Sequence, residues 1–493
     1  MQKVAGKFDV IVIGAGVAGA AVIRELSKYN LSAAILEKEP DVCFGATKGT
    51  HGIVHCGFPV DDAPIKNRTE MKGCLMMEQA CADLDVPYQK AGKLLVAFNE
   101  EELRALQKAL VSLKRNGVPG VELVTDKDRL RVMEPNISDQ VIAALHTANT
   151  AVVSPWGLVF GLIENAVANG AKLYIDAKVQ SITANNESGF LLQTSAGSFA
   201  AGYIVNAAGL FAGKVAGLIK DNSFVVSGTR QQRIVMDKKI EGIVRHVVRD
   251  LRATGAHGDF VSPTVYGDIL LGAKVENVPE VGDLRTTREG LDGWILPRCR
   301  RLIPSLPPQM SIKPFSGYIP KAGADYLIKP SPVNSRFINI VLGGSGFSAS
   351  LAVGEYVVNE ILPSVGLQLQ KKPGFNPIRK DIPHIHDLTD EERAELIGKD
   401  PLYGHIVCRC ETVSEGEIVE AIRRGARTRD GVKFRTRSGM GRCQGGFCGP
   451  RVLRILSREL GIPVEQVTRK GEGSTEVLYR TKELLKEAKG GSK

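Results

Sequence analysis

The sequence has no apolar run approaching the ~18 residues that a membrane-spanning helix needs. That excludes a spanning segment from the expectations. Its apolar strand pattern begins within the first ten residues, leaving no space for a cleaved leader, so a cytoplasmic protein is expected. Aromatic residues are scarce, 6% with two tryptophans, and no DNA- or RNA-binding motif accompanies the net charge of +10. Nucleic acid is therefore not an expected partner. Lysines and arginines are spread along the chain, with one local basic cluster at residues 423–442. The nine cysteines are an odd number, which argues against a disulfide framework. Five of them, Cys43, Cys56, Cys74, Cys81 and Cys299, are scattered as buried small hydrophobes would be. At 493 residues the chain exceeds what a single core supports, and two or three domains are expected.

What the chain does have begins at residue 10. Val10-Ile11-Val12-Ile13 has the length and β-branching of a buried parallel strand. Gly14, Ala15, Gly16, Val17, Ala18 and Gly19 follow, in G-x-G-x-x-G order. Gly14 permits a tight turn, Gly16 lets a pyrophosphate approach the backbone, and Gly19 lets the next helix pack close to the strand. That helix turns free N–H groups and its positive dipole end towards phosphates. A second apolar run ends at Glu37-Lys38, where an acid about 20 residues beyond the turn is placed to grip a ribose. The order of strand, glycines, helix, strand and acid predicts a bound dinucleotide, NAD or FAD.

Residues 41–59 read DVCFGATKGTHGIVHCGFP, a loop of glycine and small polar residues with two histidines. Gly45-Ala46-Thr47 and His51-Gly52-Ile53-Val54-His55-Cys56-Gly57 resemble a segment of the glycine/D-amino-acid oxidase superfamily of FAD enzymes. The similarity is greatest to its glycerol-3-phosphate dehydrogenase and L-2-hydroxyglutarate dehydrogenase branches. The resemblance implies FAD contacts at Thr47, Gly52, Val179, Ala208 and Gly209, the last two in the Val205-Asn206-Ala207-Ala208-Gly209 turn. It also implies contacts at Gly344, Gly346, Phe347 and Ser348, where a helix dipole would face the flavin. It places His55 near flavin and substrate, where a neutral imidazole can take a hydroxyl proton or merely pack on the ring. His257 is a further candidate for the pocket. Many relatives carry G-L-R-P where this chain reads Gly317-Tyr318-Ile319-Pro320. Tyr318 can hydrogen-bond to a substrate but supplies no charge; Lys321, Lys274 or Arg230 are the alternatives.

The other four cysteines fall in two close pairs, Cys408-x-Cys410 and Cys443-x4-Cys448. Four thiolates suit zinc or an iron–sulfur cluster, and C-x-C is shorter than the usual zinc spacing of ~2–4 intervening residues. The text CRCE…GMGRCQGGFC resembles the bacterioferritin-associated-ferredoxin-like 2Fe–2S domain found fused to the anaerobic glycerol-3-phosphate dehydrogenase large subunit. The resemblance implies a 2Fe–2S cluster on those four residues, with the basic cluster offsetting its charge or facing an acidic electron-transfer partner.

The expected fold is α/β: a Rossmann-like FAD-binding domain with an antiparallel β-sheet substrate domain, then a small α-rich 2Fe–2S domain. The expected boundaries are an oxidoreductase over 1–370, a linker over 371–400, the cluster domain over 401–470, and a helix and tail over 471–493. Within the first, FAD binding falls at roughly 1–80, 150–220 and 335–370, and the substrate domain at roughly 81–149 and 221–334. Residues 61–116 read as mostly helical. The function expected is an FAD-dependent dehydrogenase oxidising glycerol 3-phosphate, or a similar small alcohol, and passing electrons through the cluster to a partner subunit. The alternatives are a dehydrogenase of a 2-hydroxy acid or amine, and a non-catalytic electron-transfer subunit. Any membrane association would be peripheral, through a partner.

Overall fold

The computed structural model describes residues 4–57, 63–185, 189–251, 259–277, 282–479 and 481. The candidate His257, and all but residues 471–479 and 481 of the C-terminal stretch, lie outside the described residues. The chain divides into two compact units, residues 1–38 with 42–380, and residues 39–41 with 381–493. No helix among the described residues is long and apolar enough to cross a membrane.

The first unit is built on two sheets. Val10, Ile11 and Val12 are fully buried in the strand Val4–Ile13, as expected of a strand covered on both faces. It lies between Ala33–Leu36 and Gly197–Asn206, parallel to both. Phe337–Val341 extends the parallel set on the far side of Gly197–Asn206. The hairpin Val179–Asn185 and Gly189–Thr194 adds antiparallel strands. Helices approach one another here at backbone distance. A Cβ at Gly354 would lie 2.8 Å from the Ala21 carbonyl oxygen, and one at Gly73 only 2.3 Å from that of Ser348.

The second sheet runs in the order Ser311–Lys321, Ser227–Met236, Ile269–Asn277, Phe260–Pro263, Val247–Asp250, Lys93–Ala97, Ala143–Thr147, Val121–Val124. All its pairings are antiparallel except that of Val247–Asp250 with Lys93–Ala97. Alternation gives the sheet two distinct faces. Leu94, Val96, Ile234, Val248 and Leu271 pack on one face with Ile295 and Leu302 of the helical segments Glu289–Ile295 and Leu296–Leu302. Val235, Val247, Phe260 and Leu270 occupy the other, with Ile53 and Val152. That second face, called inner below, is turned to the histidine-bearing loop.

The second unit packs the hairpin Ile406–Cys408 and Val413–Ser414 on helices Glu415–Arg423, Arg429–Thr436 and Gly449–Leu460. Val407, Val413, Ile418, Val432, Val452 and Leu456 form its core. Ser414 and Glu417 start the first of these helices as a capping box, each side chain bonding the other's backbone.

Two stretches differ from the sequence reading. Lys93–Ala97 is a strand inside the region read as helical. Its Lys93 is buried, so a polar residue sits where alternation alone would place an exposed one. The stretch read as a linker contains the helix Asp390–Lys399, started by a Thr389–Glu392 capping box that the neighbouring prolines obscure.

The crossing at Gly73 yields a prediction. Gly73→Val forces a side chain onto the Ser348 carbonyl and should destabilise the unit by about 1–3 kcal/mol, read by thermal unfolding. Unchanged stability would show that the two helices separate freely.

Candidate functional site

The glycine turn adopts the conformation its sequence requires. Gly14 has φ of +100°, and a Cβ there would meet the Ala207 carbonyl oxygen at 2.7 Å. A Cβ on Gly19 would sit 2.0 Å from the Gly14 carbonyl oxygen, so helix and strand touch only because both residues are glycine. Gly16 begins the helix Val17–Leu26 with no side-chain cap. The Val17 N–H donates to Thr47 Oγ1 at 3.1 Å, and the Ala15 N–H to Glu37 Oε2 at 2.8 Å. Space is open beside Gly45 and Gly209, where a Cβ would meet nothing within 4 Å. Lys38 lies over the Phe211 ring, at 5.0 Å from its centroid. Val179 pairs with Thr194 at the edge of this sheet, and Ala208 precedes the turn at Gly209.

A second helix start faces the histidine loop. Helix Gly346–Tyr356 begins after Ser345 in the left-handed conformation, again without a side-chain cap. Phe347 and Ser348 are buried in its first turn, and Tyr326 Oη donates to the Gly344 carbonyl at 3.0 Å. Ser348 Oγ accepts the His55 backbone N–H at 2.9 Å, and Gly52 turns the loop with φ of +71°. Open glycine cradles, two uncapped helix N-termini and an acid at the ribose position fit FAD, an elongated dinucleotide whose pyrophosphate needs N–H donors.

His51 and His55 stand edge to face, ring centroids 5.3 Å apart, and His51 stands the same way to Phe260 at 5.5 Å. His51 Nδ1 accepts the Ile53 N–H at 3.0 Å, so a neutral His51 carries its proton on Nε2. His55 is 2% exposed. Burial, then the charges of His51, Lys93, Arg249 and Lys66, hold its pKa well below the ordinary histidine range. It is a neutral base at pH 7.

The sequence reading gave no role to the charged groups around it. Lys93, Arg249 and Arg233 all project from the inner face of the second sheet, and Lys66 and Glu70 come from the helix Pro64–Leu84. All five are buried. Burial pushes Glu70 up to about 8, against the pull of Lys66, Lys93 and Arg249. Burial and Arg249 bring Lys93 down to about 8. Burial lowers Arg249 to about 10 and Arg233 to about 9, and both keep their charge at neutral pH. None of these residues stands in a recognisable motif, and only the topology brings them together.

Tyr318 is elsewhere. It pairs with Arg230, on the face opposite Arg233, and its hydroxyl donates to the Asp283 carbonyl at 2.8 Å and accepts the Gly282 N–H at 3.1 Å. The structure thus turns it away from the histidine pair. Arg230 is paired with Glu276 and Asp283, and Lys274 with Glu276 and Glu289, leaving neither for a substrate. Lys321 sits at a strand end opposite Ser227.

In the second unit four sulfurs face one another in two pairs. Cys410 and Cys443 Sγ are 3.6 Å apart, and the Cys408 and Cys448 thiols are hydrogen-bonded. That bond, with the N–H groups of Gly439, Glu411 and Cys410, brings Cys408 down to about 6. Phe447 and Gly445 direct N–H groups at Cys443. Gly439 and Gly445 have φ of +86°, which turns those N–H groups inward. A tetrahedral zinc site would hold all four sulfurs within ~3.8 Å of one another, given Zn–S of about 2.3 Å. Among the described residues the set of candidate ligands drawn within 4.8 Å is instead His384, His386 and Glu417. Two separated thiol pairs fit a two-iron cluster. Burial lowers the pKa of His384, but hydrogen bonds to Asp381 and Glu417 outweigh it and push it up to about 10, so it pairs with them as an imidazolium. Of the basic cluster, Arg424, Arg429 and Arg437 are committed to Glu420, Glu476 and Glu411. Arg409 and Arg451 instead flank Phe447 at 4.7 and 4.4 Å.

These features define a flavin-dependent oxidoreductase carrying its own iron–sulfur domain. Residues 9–360 match the family of FAD dependent oxidoreductases, and the chain belongs to it. Residues 406–458 match the BFD-like [2Fe-2S] binding domain. Glycerol 3-phosphate dehydrogenase of Caloramator mitchellensis is 38% identical over 471 residues, covering 95% of this chain and 97% of that protein. Anaerobic glycerol-3-phosphate dehydrogenase subunit A1 of Haloferax volcanii is 22% identical, covering 92% and 83% respectively. The fold is that of FAD-bound L-α-glycerophosphate oxidase of Mycoplasma pneumoniae, with a TM-score of 0.69 at 23% identity over 76% of this chain and 99% of that one. FAD and a 2Fe–2S cluster are this enzyme's cofactors.

The Glu70 carboxyl tests the electrostatics of the chamber. Its folded pKa is raised, so the stability it lends is full below its unfolded pKa of ~4.3 and lost as pH rises to about 8. Glu70→Gln should remove that slope. The variant's melting temperature relative to wild type should climb between those limits and level off above them. A difference independent of pH would contradict the assignment.

Proposed function

We propose that this enzyme oxidises glycerol 3-phosphate to dihydroxyacetone phosphate and delivers the electrons, through its cluster, to an accepting subunit. The observation that carries the reading is the 38%-identical relative of that name, which aligns through both domains. The buried charges support it, since Lys66, Lys93 and Arg249 act on both Glu70 and His55, and Arg233 is buried on the same face of the sheet. A site so charged favours an anionic alcohol over a neutral one.

FAD, when bound, supplies a two-electron acceptor for the hydride of the C2–H bond, and the 2Fe–2S cluster a one-electron outlet. Gly14, Ala15, Gly16, Val17, Ala18 and Gly19 would hold the pyrophosphate, with Ala208 and Gly209 beside it. Glu37 and Lys38 would hold the ribose end, and Val179 the adenine. Thr47, Gly52, Gly344, Gly346, Phe347 and Ser348 would line the flavin. Cys408, Cys410, Cys443 and Cys448 would ligate the iron.

His55 takes the C2 hydroxyl proton at an imidazole nitrogen as the carbonyl forms. Its lowered pKa keeps it deprotonated at neutral pH, so that its imidazole is free of a proton when the substrate arrives. His51, turned by its bond to the Ile53 N–H, presents Nε2–H as a donor to the same space. Burial excludes water, so the proton goes to histidine rather than to solvent.

The first test is anaerobic mixing of holoprotein with glycerol 3-phosphate, 2-hydroxy acids and amino acids. Glycerol 3-phosphate should bleach the flavin fastest; bleaching by another class alone would replace the substrate, and by none would favour an electron-transfer subunit. His55→Ala should slow flavin reduction by about 10²–10⁴-fold with FAD retained. The wild-type rate should hold as pH falls through ~6.5, where an ordinary histidine protonates. An acid limb at that pH would contradict a depressed His55. Cys443→Ser should leave flavin reduction intact and abolish transfer to an external one-electron acceptor. Intact transfer would remove the cluster from the route.

A further inference from the structure

Among the described residues, every other buried arginine faces a carboxylate. Arg230 has Glu276 and Asp283, Arg379 has Glu164, and Arg437 has Glu411. Arg249 is drawn to Asp259 and Glu70. Arg233 has no such partner among the described residues, and burial is what lowers its pKa. It is 2% exposed. Its Nη1 donates to the Gly49 carbonyl at 2.7 Å and its Nη2 to Gln231 Oε1. Its Nε meets no hydrogen-bond acceptor among the described residues, and neither does the Nε2 of Gln231, itself 1% exposed.

Two buried donor groups thus stand side by side without acceptors, one of them charged. A lone buried cation with unmet donors is costly, and folds retain one where a ligand completes it. Its surroundings say which ligand. Gln231 and Arg233 alternate on the inner face of the second sheet, two residues apart on one strand. Arg233 bonds the carbonyl of Gly49, two residues before His51. Its Cγ and the Phe260 ring both border Gly272, and that ring stands 5.5 Å from His51. The pair therefore lies one aromatic ring from the histidines, at the scale of a three-carbon substrate. A planar guanidinium fork with an adjacent amide N–H matches a phosphate monoester, whose oxygens accept several bonds at once.

We propose that Arg233 and Gln231 form a buried oxyanion subsite that takes the phosphate group of the substrate. The proposal rests on the reading of the substrate as a phosphorylated alcohol. It also accounts for Tyr318. Tyr318, read from the sequence as standing where relatives carry an arginine, faces the other side of the sheet, and on this proposal the positive charge comes from the neighbouring strand, opposite Phe315.

The test uses holoprotein and three variants, Arg233→Gln, Arg233→Lys and Gln231→Leu. Inorganic phosphate should compete with glycerol 3-phosphate in the wild type. Arg233→Gln should raise the KM for glycerol 3-phosphate and the Ki of phosphate together, roughly 100-fold, with a much smaller change in kcat. Its preference for glycerol 3-phosphate over glycerol should fall in proportion. Arg233→Lys, which keeps charge without the fork, should recover part of the loss. Gln231→Leu should raise both constants about 10-fold. A merely structural residue would lower kcat and FAD retention without moving KM and Ki together. Wild-type KM and Ki in folded Arg233→Gln or Gln231→Leu would overturn the subsite. Calorimetric titration of the oxidised holoprotein with inorganic phosphate separates the two readings. If glycerol 3-phosphate does not reduce the wild type, the substrate reading fails. The subsite then stands on phosphate binding that Arg233→Gln abolishes, and falls if the wild type binds none.

Discussion

Positive charge confined where water cannot reach it is the constraint on which this site depends. Lys66, Lys93 and Arg249 are buried and act on His55, Arg233 is buried on the same face of the sheet, and among the described residues Glu70 and Asp259 are the acids drawn to them. In a medium of low polarity like charges do not screen one another, so the cluster must spend its excess on something. It spends part in holding His55 neutral and part in drawing Glu70 back towards ionisation against its burial. The remainder is available to an anion. On the proposed reading, a neutral base and a preference for anions are two results of the same buried charge.

The second sheet makes this possible by keeping two separate electrostatic systems on its two faces. Arg230, Gln232 and Lys274 belong to the helical side, where Glu276, Asp283, Glu289 and Thr287 satisfy them. Gln231 and Arg233, their immediate neighbours on one strand, belong to the inner side. Period-two alternation thus sorts residues adjacent in sequence into charges paired with acids on one face and an arginine without an acid partner among the described residues on the other. Gly49 and Gly317 let the histidine loop lie directly on this face: a Cβ on either would come within 3 Å of the other's backbone.

What could be read from the sequence follows the same division. The dinucleotide turn was legible because its chemistry demands local residues in order: Gly14 for a positive φ, Gly19 for backbone contact, Glu37 at the strand end. The cysteine pairs were legible for the same reason, and the BFD-like match covers them. The chamber was not. Lys66, Lys93, Arg233 and Arg249 come from four elements, and no periodicity distinguishes a buried lysine on a strand from an exposed one on a helix. Lys93 is a case in point, a buried lysine on a strand that lies inside the stretch read as mostly helical. Tyr318 misled in another way. The motif suggested a place in the pocket, but its side chain is held to the backbone at 282–283 on the far face. The helix Asp390–Lys399 shows that a capping box outweighs nearby proline as a local signal.

The enzyme joins a two-electron centre to a one-electron centre in one polypeptide, and the chamber decides what feeds the first. Anaerobic titration of holoprotein with glycerol 3-phosphate, and separately with glycerol, tests that claim most directly. Flavin absorbance and the paramagnetic signal of the reduced cluster are followed together. The account predicts that glycerol 3-phosphate bleaches the flavin and brings up the cluster signal, and that glycerol at the same concentration does neither. Equal reduction by glycerol, or a bleached flavin beside a cluster that stays oxidised, would contradict it.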